Sequence, residues 1–182
     1  SDRVSKNDWK EGNQLGGYIW HTTGSGKTMT SFKSAQLIAN SKDADKVVFL
    51  MDRIELGTPS LKEYRAFADN ADDVQETEDT ITLISKLTSS DPKNTLIVSS
   101  IQKMSNIKAD AAVKMRAKDL ESMKEKRLVF IIDECHRSTF GEMLATIKET
   151  FPNALFFGFT GTPVFHENEQ AFTTTADIFG DE

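Results

Sequence analysis

The chain has 182 residues, a formal net charge of −6 and a single cysteine, Cys135. That length suits one domain of the usual ~100–200 residues. A lone thiol excludes an intrachain disulfide, and no apolar run approaches the ~20 residues that span a bilayer. The acidic balance is the opposite of the basic footprint usual for nucleic-acid binding, although net charge does not report how charge is distributed, and phosphates are also held by backbone amides and hydroxyls.

Residues 1–15 form a lead-in whose first part, Ser1 to Gly12, lacks the apolar core of a signal peptide. A cytoplasmic protein with no membrane partner is expected, with residues 16–182 as one domain. Short apolar runs at Gly17–Trp20, Lys46–Met51, Thr95–Ser99, Leu128–Ile132 and Leu155–Phe159 suit strands buried on both faces of a parallel sheet. Helical character lies between them, at Lys27–Asn40, Ser60–Ala68, Thr80–Leu87 and Phe140–Thr150. Asp69–Asp79 is acidic and reads as a solvated connection. Lys108–Arg127, dense in charge, reads as an exposed helical excursion. Strands alternating with helices predict a doubly wound α/β domain with a mostly parallel sheet and helices on both faces.

Three segments carry chemistry. Tyr18–Thr28 reads strand, turn and helix start, ending G-S-G-K-T. Gly24 and Gly26 allow successive amides to point at one anion, and the following helix adds its N-terminal dipole. Thr22, Thr23, Gly24, Ser25, Gly26, Lys27 and Thr28 therefore form a candidate phosphate-binding loop. Lys27 reaches the β- and γ-phosphates of a nucleotide, and Thr28 ligates Mg²⁺. His21 stands where the usual pattern has glycine. The second segment, Leu128–His136, delivers Asp133 and Glu134 at the C-terminal end of a buried strand, where ligands bind in open α/β sheets. Asp133 would hold Mg²⁺ opposite Thr28, and Glu134 would orient and deprotonate an attacking water. Cys135 and His136 are adjacent and have no partner at zinc-ligand spacing, which argues against zinc. The third, Phe157–Pro163, is a strand ending in small hydroxyl residues.

His21–Thr28, Asp133–His136 and Thr160–Pro163 resemble motifs I, II and III of superfamily 2 helicases, in the same order and spacing. That resemblance implies a RecA-like P-loop domain using ATP and Mg²⁺. A non-glycine residue often opens the loop in that superfamily, and His136, Thr160, Gly161 and Thr162 would couple nucleotide state to DNA movement. With Met51–Leu56, Ser99–Lys103 and Gly158–Phe165, the set is similar to the restriction subunit of type I restriction-modification enzymes, over about Gly16 to Gly180. The resemblance then implies an ATP-driven double-strand DNA translocase working with modification and specificity subunits. Within its own full-length chain it would work with a second RecA-like domain, which supplies an arginine finger, and a nuclease domain. Taken alone, these 182 residues are expected to show little or no ATPase and no nuclease activity.

By the same resemblance Arg53, Ser99, Ser100, Gln102 and Lys103 lie along the DNA track, while Arg53 could equally pair with Glu55 at the surface. Pro59 stands where the family pattern has glutamine, which puts any contact of that glutamine in doubt. Another superfamily 2 DNA or RNA helicase, or a nucleotide switch that does not translocate, remains open at this point. DNA-stimulated hydrolysis separates the switch from a motor, and strand separation or RNA stimulation marks the helicase.

Overall fold

A computed structural model describes residue 4 and residues 16–20, 26–51, 75–76, 79–114, 117–133 and 138–160. In chain order these form β1 (Gly17–Trp20), α1 (Lys27–Ser41), β2 (Lys46–Met51), β3 (Gln75–Glu76), α2 (Thr80–Thr88), a 3₁₀ turn (Pro92–Asn94), β4 (Leu96–Ser100), α3 (Ile101–Lys114), α4 (Ala117–Lys124), β5 (Leu128–Asp133), α5 (Ser138–Thr150) and β6 (Leu155–Thr160). The strands make one six-stranded sheet in the order β1-β6-β5-β2-β4-β3. Every pairing is parallel. All strand C-termini therefore point to one edge of the sheet.

Period-two geometry divides each apolar run between two cores. Val47, Phe49 and Met51 of β2 pack with Phe32, Ala35 and Ile38 of α1, together with Val129 and Ile131 of β5. Val48 and Leu50 point the other way, toward Leu83 and Leu87 of α2, Ile101, Met104 and Ile107 of α3, and Leu144 and Ile147 of α5. Helices thus cover both faces of the sheet. Aromatic contacts reinforce each side. Phe32 meets Phe49 edge-on at 5.7 Å, and Phe130 stacks on Phe156 at 4.8 Å.

The five expected strands are present, two of them extended to Ser100 and Asp133, and β6 to Thr160. Two expectations change. The acidic stretch contains a two-residue strand, β3, which pairs with β4 and is an edge strand among the described residues, a place where polar residues are tolerated. The charged stretch after Ile107 is not a purely exposed excursion. In α4, Met123 is fully buried, and Leu120 packs beside it against the core, because a three-residue spacing puts both on one helix face. Lys126 turns inward as well, its Nζ donating to the carbonyls of Leu87 and Thr88 at 2.9 Å and of Ser89 at 3.2 Å. That ammonium caps the C-terminus of α2, where the last carbonyls lack helical partners. The expected helix at Ser60–Ala68 lies outside the described residues.

Gly16 leads into β1 under a tight steric limit. A Cβ there would lie 1.6 Å from the Phe156 carbonyl oxygen, so only glycine lets β1 approach β6.

Candidate nucleotide site

The site lies at the C-terminal edge of β1, β6 and β5. Parallel register sets Trp20 beside Thr160 and Asp133 beside Phe159, so the ends of the three strands line up although β1 and β5 do not touch. β6 stands between them. The chain leaves β1 and enters α1 through Gly26, which takes φ 78° and ψ 28°. A Cβ at Gly26 would meet nothing within 4 Å. The demand for glycine is therefore conformational, since L side chains rarely adopt the left-handed region.

Short hydrogen bonds fix the junction. The Gly26 carbonyl accepts from the Thr30 amide at 3.0 Å and from the Thr30 hydroxyl at 3.1 Å. Ser31, which is buried, donates its hydroxyl to the Thr28 carbonyl at 3.0 Å. The motif pattern assigns Gly16, Thr30 and Ser31 no part in the site. A short hydroxyl side chain in the first turn of a helix is the available signal for the latter two, because it can bond back to a carbonyl three or four residues earlier.

This framing brings together residues 105 positions apart. Thr28 Oγ1 donates to Asp133 Oδ2 at 3.3 Å. Lys27 Nζ lies 3.7 Å from Asp133 Oδ1, and the two side chains are 13% and 7% exposed. That separation is an ion pair and longer than a hydrogen bond. Phe32 and Phe49 anchor α1 to β2 in the same core that contains Val129 and Ile131 of β5, so the helix delivers Lys27 and Thr28 over the end of the carboxylate strand.

A carboxylate, a hydroxyl and an ammonium meeting at a helix N-terminus fit a Mg²⁺–polyphosphate. Hard oxygen donors suit Mg²⁺, which is usually held by one or two protein groups with phosphates completing its shell. Thr28 and Asp133 oxygens are 3.3 Å apart, a few tenths of an ångström wider than the ~3.0 Å between neighbouring ligands of an octahedral ion with bonds of about 2.1 Å.

The remaining predicted residues divide clearly. Thr160 ends β6 and is fully buried. Thr22, Thr23, Gly24, Ser25, Arg53, Glu134, His136, Gly161 and Thr162 lie outside the described residues. In the segment read as a DNA track, Ser99 is fully buried and Ser100 nearly so. Ser100 Oγ accepts from the Lys103 amide at 3.3 Å, an N-capping bond for α3. Gln102 is exposed and Lys103 partly so, with Gln102 Nε2 bonded to Asn106 Oδ1 at 3.3 Å.

Among the described residues, no helix is long and apolar enough to cross a membrane.

Comparison with known proteins agrees with this geometry. The SWI2/SNF2 ATPase family matches residues 2–182. The chain is 49% identical over 165 residues to the type I restriction enzyme SauCOLORF180P endonuclease subunit of Staphylococcus aureus, covering 90% of this chain and 17% of that one. It is 42% identical over 150 residues to the C-terminal part of a putative type I restriction enzyme from Mycoplasma pneumoniae, the MpnIIP endonuclease subunit, covering 82% of this chain and 69% of that one. Among solved structures, a nuclease-deletion mutant of the Type ISP restriction-modification enzyme LlaGI, in complex with a DNA substrate mimic, superposes with a TM-score of 0.61 at 20% identity. The match covers 92% of this chain and 17% of that one. The Pyrococcus furiosus Hef helicase domain superposes with a TM-score of 0.53 at 17% identity, over 93% of this chain and 33% of that one. These likenesses show the RecA-like helicase fold, and the chain spans less than a fifth of the staphylococcal relatives it matches. The chain belongs to the SWI2/SNF2 ATPase family, within the endonuclease subunits of type I restriction enzymes.

Proposed function

We propose that this domain is the ATP-binding motor module of a type I restriction endonuclease subunit, driving double-strand DNA translocation that precedes cleavage by a nuclease domain elsewhere in the full-length protein. The observation that supports it most is the meeting of Lys27, Thr28 and Asp133 at the C-terminal sheet edge. In this reading the amides of residues 22–28 and the Lys27 ammonium hold the β- and γ-phosphates of ATP. Thr28 and Asp133 hold Mg²⁺, which when bound draws charge from the phosphate oxygens. Glu134 orients a water in line with the γ-phosphorus and takes its proton as the bond to the ADP oxygen breaks. Thr160, buried between the phosphate-loop strand and the carboxylate strand, is placed to feel a change at either, and with Gly161, Thr162 and His136 passes that change to the DNA track. Arg53 and Lys103 supply positive charge to the DNA phosphates, with Ser99, Ser100 and Gln102 as hydrogen-bond donors, contacts that fix position without reading sequence. The modification and specificity subunits select the site, and a second RecA-like domain closes over the nucleotide.

The test is the ATP hydrolysis rate of the full-length subunit assembled with its modification and specificity partners. It is measured with and without unmodified double-stranded DNA carrying the recognition site, beside a Lys27→Ala control. Stimulation by DNA that disappears in the variant is expected. ATP binding with no response to DNA would replace the motor by a nucleotide switch. The 182-residue stretch alone is expected to bind ATP–Mg²⁺ weakly and turn it over slowly, because an arginine finger contributed by another domain is worth about 10³–10⁵ in rate.

A further inference from the structure

At the opposite pole from the nucleotide site, where β2, β4 and β5 begin, a cavity of about 440 Å³ opens between the end of α1 and the connection from α2 to β4. Gln36, Asn40 and Lys42 form one wall, and Ser90, Pro92 and Lys93 the other. Arg127 and Asp45 also line it, bound to each other through Arg127 Nη2 and Asp45 Oδ1 at 2.8 Å. The Arg127 guanidinium also donates to the Lys42 carbonyl at 3.3 Å.

The walls are fixed. Lys46 Nζ donates to the Asn94 carbonyl at 2.8 Å, Lys126 holds the carbonyls of residues 87–89, and Asn94 Nδ2 donates to Ser89 Oγ at 3.1 Å. The residues that line the cavity include three cations, Lys42, Lys93 and Arg127, against one carboxylate, Asp45. A local positive excess on a chain of net charge −6 is a departure that the fold alone does not require.

We propose that this cavity is a docking socket for an acidic segment of a partner protein, with Lys42 and Lys93 at its mouth as the discriminating cations. Shape favours a peptide over duplex DNA. Lys42 and Lys93 stand on opposite walls of a concave space that Arg127 also lines, and a convex duplex reaches only the rim. An extended segment can insert one or two carboxylates between Lys42 and Lys93, where amide and hydroxyl groups of Gln36, Asn40 and Ser90 add hydrogen bonds.

The probe is fluorescein-labelled hexaglutamate, followed by fluorescence anisotropy at about 50 mM salt, where screening is modest. Binding to the 182-residue chain is expected to weaken about tenfold or more in the Lys42→Glu/Lys93→Glu double variant. It should persist in Lys42→Arg/Lys93→Arg and in Lys27→Ala, whose change lies at the other pole. Both lysines are exposed, and circular dichroism checks that each variant folds. Should the charge reversal unfold the chain, Lys42→Gln/Lys93→Gln replaces it, with an expected loss of about threefold. Unchanged affinity in the folded variants, loss in Lys27→Ala, or equally effective competition by a duplex oligonucleotide of matched charge would each overturn the proposal.

Discussion

Replacing Lys46 by Met tests whether a buried ammonium works against the fold at neutral pH. Lys46 opens β2, is 3% exposed, and its pKa is brought from 10.5 to about 8 by burial first and by the Lys126 charge second, with Asp91 and Asp45 opposing. Between those values the unfolded chain holds a proton that the native lysine has released. Native stability therefore rises with pH across this window. At about 1.36 kcal/mol per pH unit the full gap corresponds to about 3 kcal/mol at most. Relaxation around a buried charge reduces its penalty, and about half of that, roughly 1.5 kcal/mol, is the working figure. Methionine fills similar space with no charge but loses the bond to the Asn94 carbonyl, worth about 1 kcal/mol. Near pH 7 the two proteins should be close in stability. By pH 10.5 the wild type should gain roughly 1.5 kcal/mol on Lys46→Met. Urea unfolding at pH 7, 8, 9, 10 and 10.5, followed by tryptophan fluorescence, measures the difference, and groups common to both proteins cancel. A difference that stays flat with pH, or falls, would refute the reasoning.

Three further outcomes follow from particular contacts. Gly16→Ala should separate β1 from β6, lowering thermal stability and weakening nucleotide binding together, as thermal melts with and without ATP–Mg²⁺ would show; a neutral substitution would mean that β1 accommodates a Cβ. Met123→Ala empties a fully buried position and should cost about 2–5 kcal/mol in urea unfolding, where an exposed α4 would lose almost nothing. Asp45 is held below its ordinary carboxylate range chiefly by its hydrogen bond to Arg127. Its contribution is present above that ordinary range and is lost as pH falls through the native value. Asp45→Asn should therefore flatten part of the acid limb of the stability curve, and an unchanged limb in acid titration would count against the pairing.

The sheet was legible because β2 and β5 are continuous apolar runs, and a strand buried on both faces needs no alternation. The start of α1 was legible because a glycine able to take the left-handed region stands just before it. What stayed hidden depends on partners distant in sequence. Lys126 stands in a run of charge that suggests solvent, yet its acceptors are carbonyls 37–39 residues earlier, and no local pattern announces them. β4 was expected to end at Ser99, and its continuation through Ser100 buries that residue as well. The polar pair Gln75–Glu76 has no strand signature, and it forms β3 because β4 offers a free edge. At the site, sequence indicated that Lys27, Thr28 and Asp133 belong together. The distances among them come from helix–sheet packing, which sequence does not display.

That packing has a consequence for genetics. Two strand spacings of about 4.8 Å each separate β1 from β5, with β6 between them, so strand pairing alone does not hold the ammonium to the carboxylate. The reach is made by α1 leaning across the sheet on Phe32, Ala35 and Ile38. A screen for alleles that lose nucleotide affinity at elevated temperature should therefore return aliphatic and aromatic positions beneath α1, such as Phe49 and Val129, alongside the polar residues of the loop. Such alleles would leave every ligand-contacting side chain intact and be suppressed by second changes that refill the same layer.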